Sequence, residues 1–338
     1  MALKAKNEKH ANQINAGVKG RLKGHSFEND VAEEINRIQN YSTLKFQNTD
    51  NPHIFFGNPA DILISYVVAN RNATISSCKA HWLGGLATAN IGEHIVNSRG
   101  EIVTGSKSDI LLDLNYDNEL LERIGVSVKS CKNNAQLALM TAASFCNMLR
   151  DYGIPVSVDA EIGLKMFCGV DEYSPKSGYI PKDTSNIPKN RTARPERWFW
   201  EELPSPVQRE WAEIFNLNQI EITKMLLQKA NAYKTDDYPP MFVLHECNKH
   251  ASMNECTIAV FSIDELAVYS KAYDGFGIKK QAIKKGKYKG IDLAIHHYPH
   301  FGFIQFQPIG NKQNFSELQF NLKSQYYKKI PLLNKKGL

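Results

Sequence analysis

Asp109 stands at the entrance of the apolar run Ile110-Leu111-Leu112, and Lys129 closes a second run, Gly125-Val126-Ser127-Val128. The polar stretch from Asn115 to Glu122 lets the chain turn back, so the two runs are expected to pair as a β-hairpin that brings carboxylate and ammonium together. A carboxylate is the donor a hard cation such as Mg²⁺ takes, with water and a substrate phosphate filling the other positions. A lysine beside it can orient or help deprotonate an attacking water and offset charge developing on a phosphorane. The pair therefore fits Mg²⁺-dependent hydrolysis of a phosphodiester, with Asp109 as metal ligand and Lys129 as catalytic base or stabiliser.

Taken with its flanks, this pattern resembles the PD-(D/E)xK nucleases and, among them, the type II restriction endonucleases. The resemblance rests on Lys107-Ser108-Asp109-Ile110 and Val126-Ser127-Val128-Lys129-Ser130. It extends to Gln136-Leu137, read as opening the next helix, and to Gly24-His25-Ser26-Phe27-Glu28 near the N-terminus. It implies an α/β (α+β) fold, a mixed central β-sheet flanked by helices with additional C-terminal elements. It also implies sequence-specific cleavage of double-stranded DNA by a homodimer with one active site per subunit, and a metal shell that Glu28 joins or supports. The chain departs from the family at Ser127, where Glu or Asp usually precedes the lysine by two residues, so the second metal ligand stays open.

A rival hairpin has the same ingredients. Pro59-Ala60-Asp61 leads the apolar run Ile62 to Val68, Asn70-Arg71-Asn72 reads as a turn, and Ala73 to Lys79 reads as a returning strand. Glu93 could supply a displaced carboxylate. The order Glu28, Asp61, Lys79 would suit a structure-selective nuclease of the Holliday-junction resolvase type. A third reading, from another class, is a non-catalytic DNA-binding protein that has lost the second acid at Ser127. The Asp109 hairpin is preferred because its flanks match the restriction-enzyme pattern as a set.

Composition narrows the classes. A chain of 338 residues with 42% hydrophobic content can bury one large core or two moderate ones. It holds no apolar run long enough to span a bilayer, and Met1 to Lys9 lacks the apolar segment of a secretory signal, so a cytoplasmic protein is expected. The six cysteines at 78, 131, 146, 168, 247 and 256 are too scattered for a disulfide framework. His245, Cys247, His250 and Cys256 lack the paired spacing of a zinc site. His296, His297 and His300 lack the asparagine and second-half ligands that an HNH-like site would need. The formal net charge of +6 is modest, but Lys279, Lys280, Lys284, Lys285, Lys287 and Lys289 crowd an acid-free stretch. That cluster is the expected contact with DNA phosphates, with affinity falling steeply as salt rises.

The elements that must hold these groups read as follows. Residues 1–23 are expected to be a mobile basic terminus and 24–174 the catalytic core. Residues 175–204 are expected to be a proline-rich basic loop or linker, and 205–338 a DNA-recognition and dimerisation region. A helix is expected from Ser26, because Phe27, Val31, Ile35 and Ile38 recur at helical spacing. Ala135 to Leu149 reads as a helix, and short strands are expected around Pro155 to Val158 and Ile162 to Val170. Lys182, Lys189, Arg191, Arg194 and Arg197 make the proline-rich stretch a possible embrace for DNA. A helical region then runs from Ser205 toward Ala230, with Trp198, Trp200 and Trp211 serving core or contact packing. Strands follow at Tyr238 to Leu244 and Cys256 to Ile263, a helix from Ser262 to Ala272, and late strands at Phe301 to Pro308 and Leu318 to Lys323.

Overall fold

The structure, a computed structural model, describes residues 8–86, 92–117, 121–130, 135–189, 195–228, 237–248, 252–282, 295–308 and 317–330. Met1–Lys132 and Ala232–Ile263 form one compact unit, and Asn133–Asn231 and Asp264–Leu338 form another. This division differs from the consecutive regions expected above. Two late strands, β7 (Pro240–Glu246) and β8 (Cys256–Ser262), complete the first unit's sheet. Such long-range pairing leaves no local mark in a sequence.

In the first unit a seven-stranded mixed sheet has the order β1-β2-β8-β7-β5-β4-β3. Its remaining strands are β1 (Phe46–Asn48), β2 (Ile54–Gly57), β3 (Ile75–Trp82), β4 (Ile110–Tyr116) and β5 (Leu121–Ser130). The expected hairpin is present as the antiparallel pair β4–β5, with Ile110 opposite Val126 and Leu112 opposite Ile124. One face of this pair, carrying Ile110, Leu112, Leu114, Ile124, Val126 and Val128, packs into the main core under helices α1 (Glu8–Arg37) and α2 (Pro59–Arg71). Leu111, on the other face, meets a smaller cluster of Leu83, Leu86, Ile95 and Val103. Gly125 is required where it stands. A Cβ there would collide with the Ser108 hydroxyl and come within 2.7 and 2.8 Å of the Pro239 and Tyr238 carbonyl oxygens.

Two expectations fail in this unit. The first helix begins at Glu8 rather than Ser26, so residues 8–23 are helical where a mobile terminus was expected. Phe27, Val31, Ala32 and Ile35 anchor its second half in the core, and once a helix is nucleated each added residue gains a hydrogen bond. The run from Pro59 to Val68 is the helix α2 instead of a strand. Asn58 caps it by accepting from Ala60 N at 2.9 Å, and Pro59 follows with its φ already suited to a first turn. Buried Ile62, Leu63, Ile64 and Val67 make the run too continuously apolar for its period to be legible.

The second unit holds a five-stranded antiparallel sheet, order β6-β12-β11-β10-β9. Its strands are β6 (Ala135–Thr141), β9 (Phe276–Ala282), β10 (Ile295–Phe301), β11 (Ile304–Pro308) and β12 (Glu317–Leu322). Ala135 to Thr141 is thus strand, and Gln136-Leu137 does not open a helix. The helix, α3 (Ala142–Asp151), starts only where Thr141 accepts from Ser144 N. Conversely, α4 (Val158–Cys168) replaces the strands expected at 155–170. Ser157 caps it, Asp159 and Glu161 sit in its first turn, and Gly169 ends it at φ +82°. Helices α5 (Ser205–Leu217), α6 (Gln219–Gln228) and α7 (Ile263–Tyr273) fall where expected.

An aromatic core fills this unit, with Phe215 stacked at 5.2 Å on Phe276 and at 4.7 Å on Phe301. Trp200 and Trp211 are fully buried. In the proline-rich stretch, Arg197 is buried over the Phe167 and Phe199 rings and Lys182 pairs with Asp159. Arg197 is therefore a packing residue rather than part of a DNA embrace, while Arg191 and Arg194 lie outside the described residues. No helix among the described residues is long and apolar enough to cross a membrane.

Candidate active site

Asp109 is fixed by its backbone before its side chain does anything. Its N–H donates to Val126 O at 2.9 Å, and its carbonyl accepts from Leu83 N at 2.9 Å and Gly84 N at 3.1 Å. The residue is clamped between β5 and the chain leaving β3, at the mouth of the hairpin. Its Oδ2 accepts from Val128 N at 2.6 Å and from Ser127 Oγ at 3.2 Å, and lies 3.5 Å from Lys129 Nζ. Lys129 Nζ donates to Ser127 Oγ at 2.7 Å and to Val128 O at 3.1 Å. Alternation along β5 explains why Ser127 and Lys129 share a face while Val126 and Val128 point into the core. Ser127, where an acid was expected, links ammonium to carboxylate through one hydroxyl.

Glu28 reaches the same place from α1. It is only 8% exposed, and Trp82 Nε1 donates to its Oε2 at 3.5 Å. Gly84 makes the approach possible, because a Cβ there would collide with Glu28 Oε2 and lie 2.5 Å from Trp82 Nε1. Burial pushes the Glu28 carboxyl up to about 8, the nearby Asp109 charge pushes the same way, and Lys129 opposes them. Half-buried Lys107 is held down to about 8 by burial and then by Lys129, with Asp109 opposing. Lys107 belongs to the Lys107-Ser108-Asp109-Ile110 pattern, which by itself gives it no role. Its position two residues before Asp109 was the available signal.

The donor set fits a hard dication. Asp109 and Glu28 offer carboxylate oxygens, and Glu28 carries a proton near neutrality because burial and the nearby Asp109 charge disfavour ionising it. Mg²⁺ commonly sits on one or two carboxylates and keeps several waters. Among the described residues no three His, Cys, Asp or Glu side chains converge on one point.

The rival constellation is not assembled. Asp61 lies in the first turn of α2, where its Oδ2 accepts from Lys45 N at 3.1 Å. Lys79 lies on β3 opposite Asp113, mostly exposed, with Glu93 3.9 Å away. Glu93 belongs instead to buried His81, at 2.7 Å, whose other ring nitrogen meets Asp113 at 3.2 Å. Of the expected phosphate-binding lysines, Lys279 is exposed on β9 and Lys280 follows it on the same strand. Lys284, Lys285, Lys287 and Lys289 lie outside the described residues.

No protein-family model matches the chain, and no curated protein does. Among solved structures the chain is similar to the crystal structure of the restriction endonuclease MspI in complex with its cognate DNA. The two share 11% sequence identity and a TM-score of 0.50, over 90% of this chain and 91% of that one. At that identity the likeness is one of fold, a restriction-endonuclease-like mixed sheet flanked by helices.

Proposed function

We propose that this protein is a Mg²⁺-dependent endonuclease that cleaves double-stranded DNA at specific sequences, in the manner of a type II restriction enzyme. The observation that supports this most is the Lys129–Ser127–Asp109 hydrogen-bonded chain at the hairpin mouth, with buried Glu28 beside it. In this reading Asp109 and Glu28 hold the cation. Mg²⁺, when bound, supplies Lewis acidity toward the phosphoryl oxygen and offsets developing charge. Lys129, held in place by the Ser127 hydroxyl, orients the attacking water and, as the ammonium, offsets the charge that develops at the phosphoryl group. The water oxygen bonds to phosphorus, one ester oxygen leaves, and a proton passes to the leaving oxygen.

Ser127 cannot bind a cation as a carboxylate would, and here its task is to keep ammonium and carboxylate in register. Cleavage of both strands at one sequence suits a homodimer, since a two-fold protein matches a palindromic site. A cytoplasmic location is part of the same proposal. The test is incubation of the protein with a plasmid and Mg²⁺, followed by sequencing of the ends. Discrete fragments with one shared end sequence are expected. Duplex binding that persists in EDTA with no cleavage in Mg²⁺ or Mn²⁺ would replace this reading with that of a non-catalytic DNA-binding protein.

A further inference from the structure

The five-stranded sheet of the second unit has two unlike faces. One sends Phe276, Phe301, Phe306 and Phe320 into the aromatic core. On the other, strand register gathers carboxamides: Gln305 opposite Asn321, Gln307 opposite Gln319, and Asn321 opposite Gln136. An ordinary outer sheet face mixes charged and hydroxyl side chains to keep water and deter pairing. Here five neighbouring positions on three strands are amides, with Leu139, opposite Gln319, the apolar exception.

Their mutual bonds are few. Gln305 Nε2 donates to Gln307 Oε1 at 3.3 Å, and Gln319 Nε2 donates to Asn321 Oδ1 at 3.0 Å and to Gln136 Oε1 at 3.3 Å. Each carboxamide has two N–H donors and an oxygen with two lone pairs, so the row keeps most of its hydrogen-bonding capacity. His300, opposite Gln305 on the same face, is 5% exposed, and its buried Nδ1 makes no hydrogen bond in the structure. A buried donor or acceptor left so is costly unless a ligand or water completes it.

We propose that this amide face reads base edges in the major groove of duplex DNA and that its ligands are A·T pairs. The inference rests on the proposed action on DNA and names what the recognition surface would read. A carboxamide is the side chain that bonds adenine N6 and N7 together, donating with one end and accepting with the other. Adjacent strands lie about 4.8 Å apart, so the two-by-two patch on β11 and β12 is narrower than a major groove of about 12 Å. Charge favours a polyanion. Lys279 stands exposed on this face, opposite Tyr298, and the connection leaving β9 at Ala282 and entering β10 at Ile295 carries Lys284, Lys285, Lys287 and Lys289. Among the described residues the acids on this side are Asp274, bonded to His300 at 3.2 Å, and Glu317, at the far end opposite Thr141, and the β9–β10 connection adds Asp292 to its four lysines.

The experiment uses the full chain in EDTA with a pool of randomised duplexes, recovering and sequencing the bound fraction. The wild-type protein is expected to enrich one motif containing A·T pairs. Gln307→Ala and Gln319→Ala, both on partly exposed positions, should each relax discrimination at one A·T position by about 5- to 150-fold. Their affinity for mixed-sequence DNA should change less than about threefold. Lys279→Ala should instead weaken binding to all sequences alike and lower the salt dependence.

Asn321 is avoided as a target because it is buried, and thermal melts check that the tested variants keep their fold. The proposal is overturned if folded Gln307→Ala and Gln319→Ala enrich the wild-type motif unchanged. It is equally overturned if the motif holds only G·C pairs, or if single strands bind better than duplexes. Because no metal is present, failure of plasmid cleavage would leave this result standing, and intact cleavage would not rescue it.

Discussion

Two regions of the first unit hold the same pair of residue types at similar separation, and the fold treats them oppositely. Asp109 and Lys129 sit at the open end of one hairpin, where backbone amides, a serine hydroxyl and a buried glutamate surround them. Asp61 and Lys79 are parted by a helix: one serves the first turn of α2, the other stands mostly exposed on β3. The difference shows that an Asp and a Lys become a site only when strand register places them on one face and other groups fix their atoms. Exposed pairs such as Lys79–Glu93 contribute little.

The sharpest way to break this contrast is a set of four substitutions assayed on plasmid DNA with Mg²⁺. Asp109→Ala and Lys129→Ala should each lower the initial cleavage rate about a thousandfold, since in the proposed mechanism each removes a metal ligand or a charge-stabilising group. Asp61→Ala and Lys79→Ala should stay within about threefold of wild type. Equal losses in both pairs would erase the distinction between the two regions.

A smaller effect comes from Glu28. Its carboxyl is raised from 4.5 to about 8, so between those values the native state binds more protons than the unfolded chain. Stability of the metal-free protein should therefore fall as pH rises from about 4.5 to about 8, by a few kcal/mol. Glu28→Gln should flatten that dependence in urea unfolding measured across this range. A wild-type profile that stays level would mean that Glu28 is not held as described.

Gly84→Ala sharpens the comparison from the side of packing. The added methyl would push against the Glu28 carboxyl and the Trp82 indole, costing about 1–3 kcal/mol by overpacking and shifting tryptophan fluorescence. The smallest effect belongs to the other region. Asn58→Ala removes the α2 cap and should cost about 1 kcal/mol in a thermal melt while leaving cleavage unchanged.

The Asp109–Lys129 hairpin was legible because its two runs are strand-length and separated by a polar turn, and the Glu28 helix because its stripe is periodic. The helical nature of 59–71 was hidden by apolar residues on every side, although Asn58-Pro59 is itself a helix start signal. Ala135 to Leu149 misled for the opposite reason. Its alanines and leucines favour helix, yet pairing with β12 overrides that propensity up to Thr141. Nothing local announced that β7 would lie parallel to β5, nor that Ser127 would bridge Lys129 and Asp109. Both depend on contacts between residues far apart in the chain or on side-chain geometry.

In the proposed reading the Asp109 region holds a dication, and calorimetric titration of Mg²⁺ into the DNA-free protein tests this most directly. Wild type and Asp61→Ala should bind with similar affinity, and Asp109→Ala should bind at least tenfold more weakly. Binding by Asp109→Ala as tight as wild type, or its loss in Asp61→Ala, would contradict the assignment of the site.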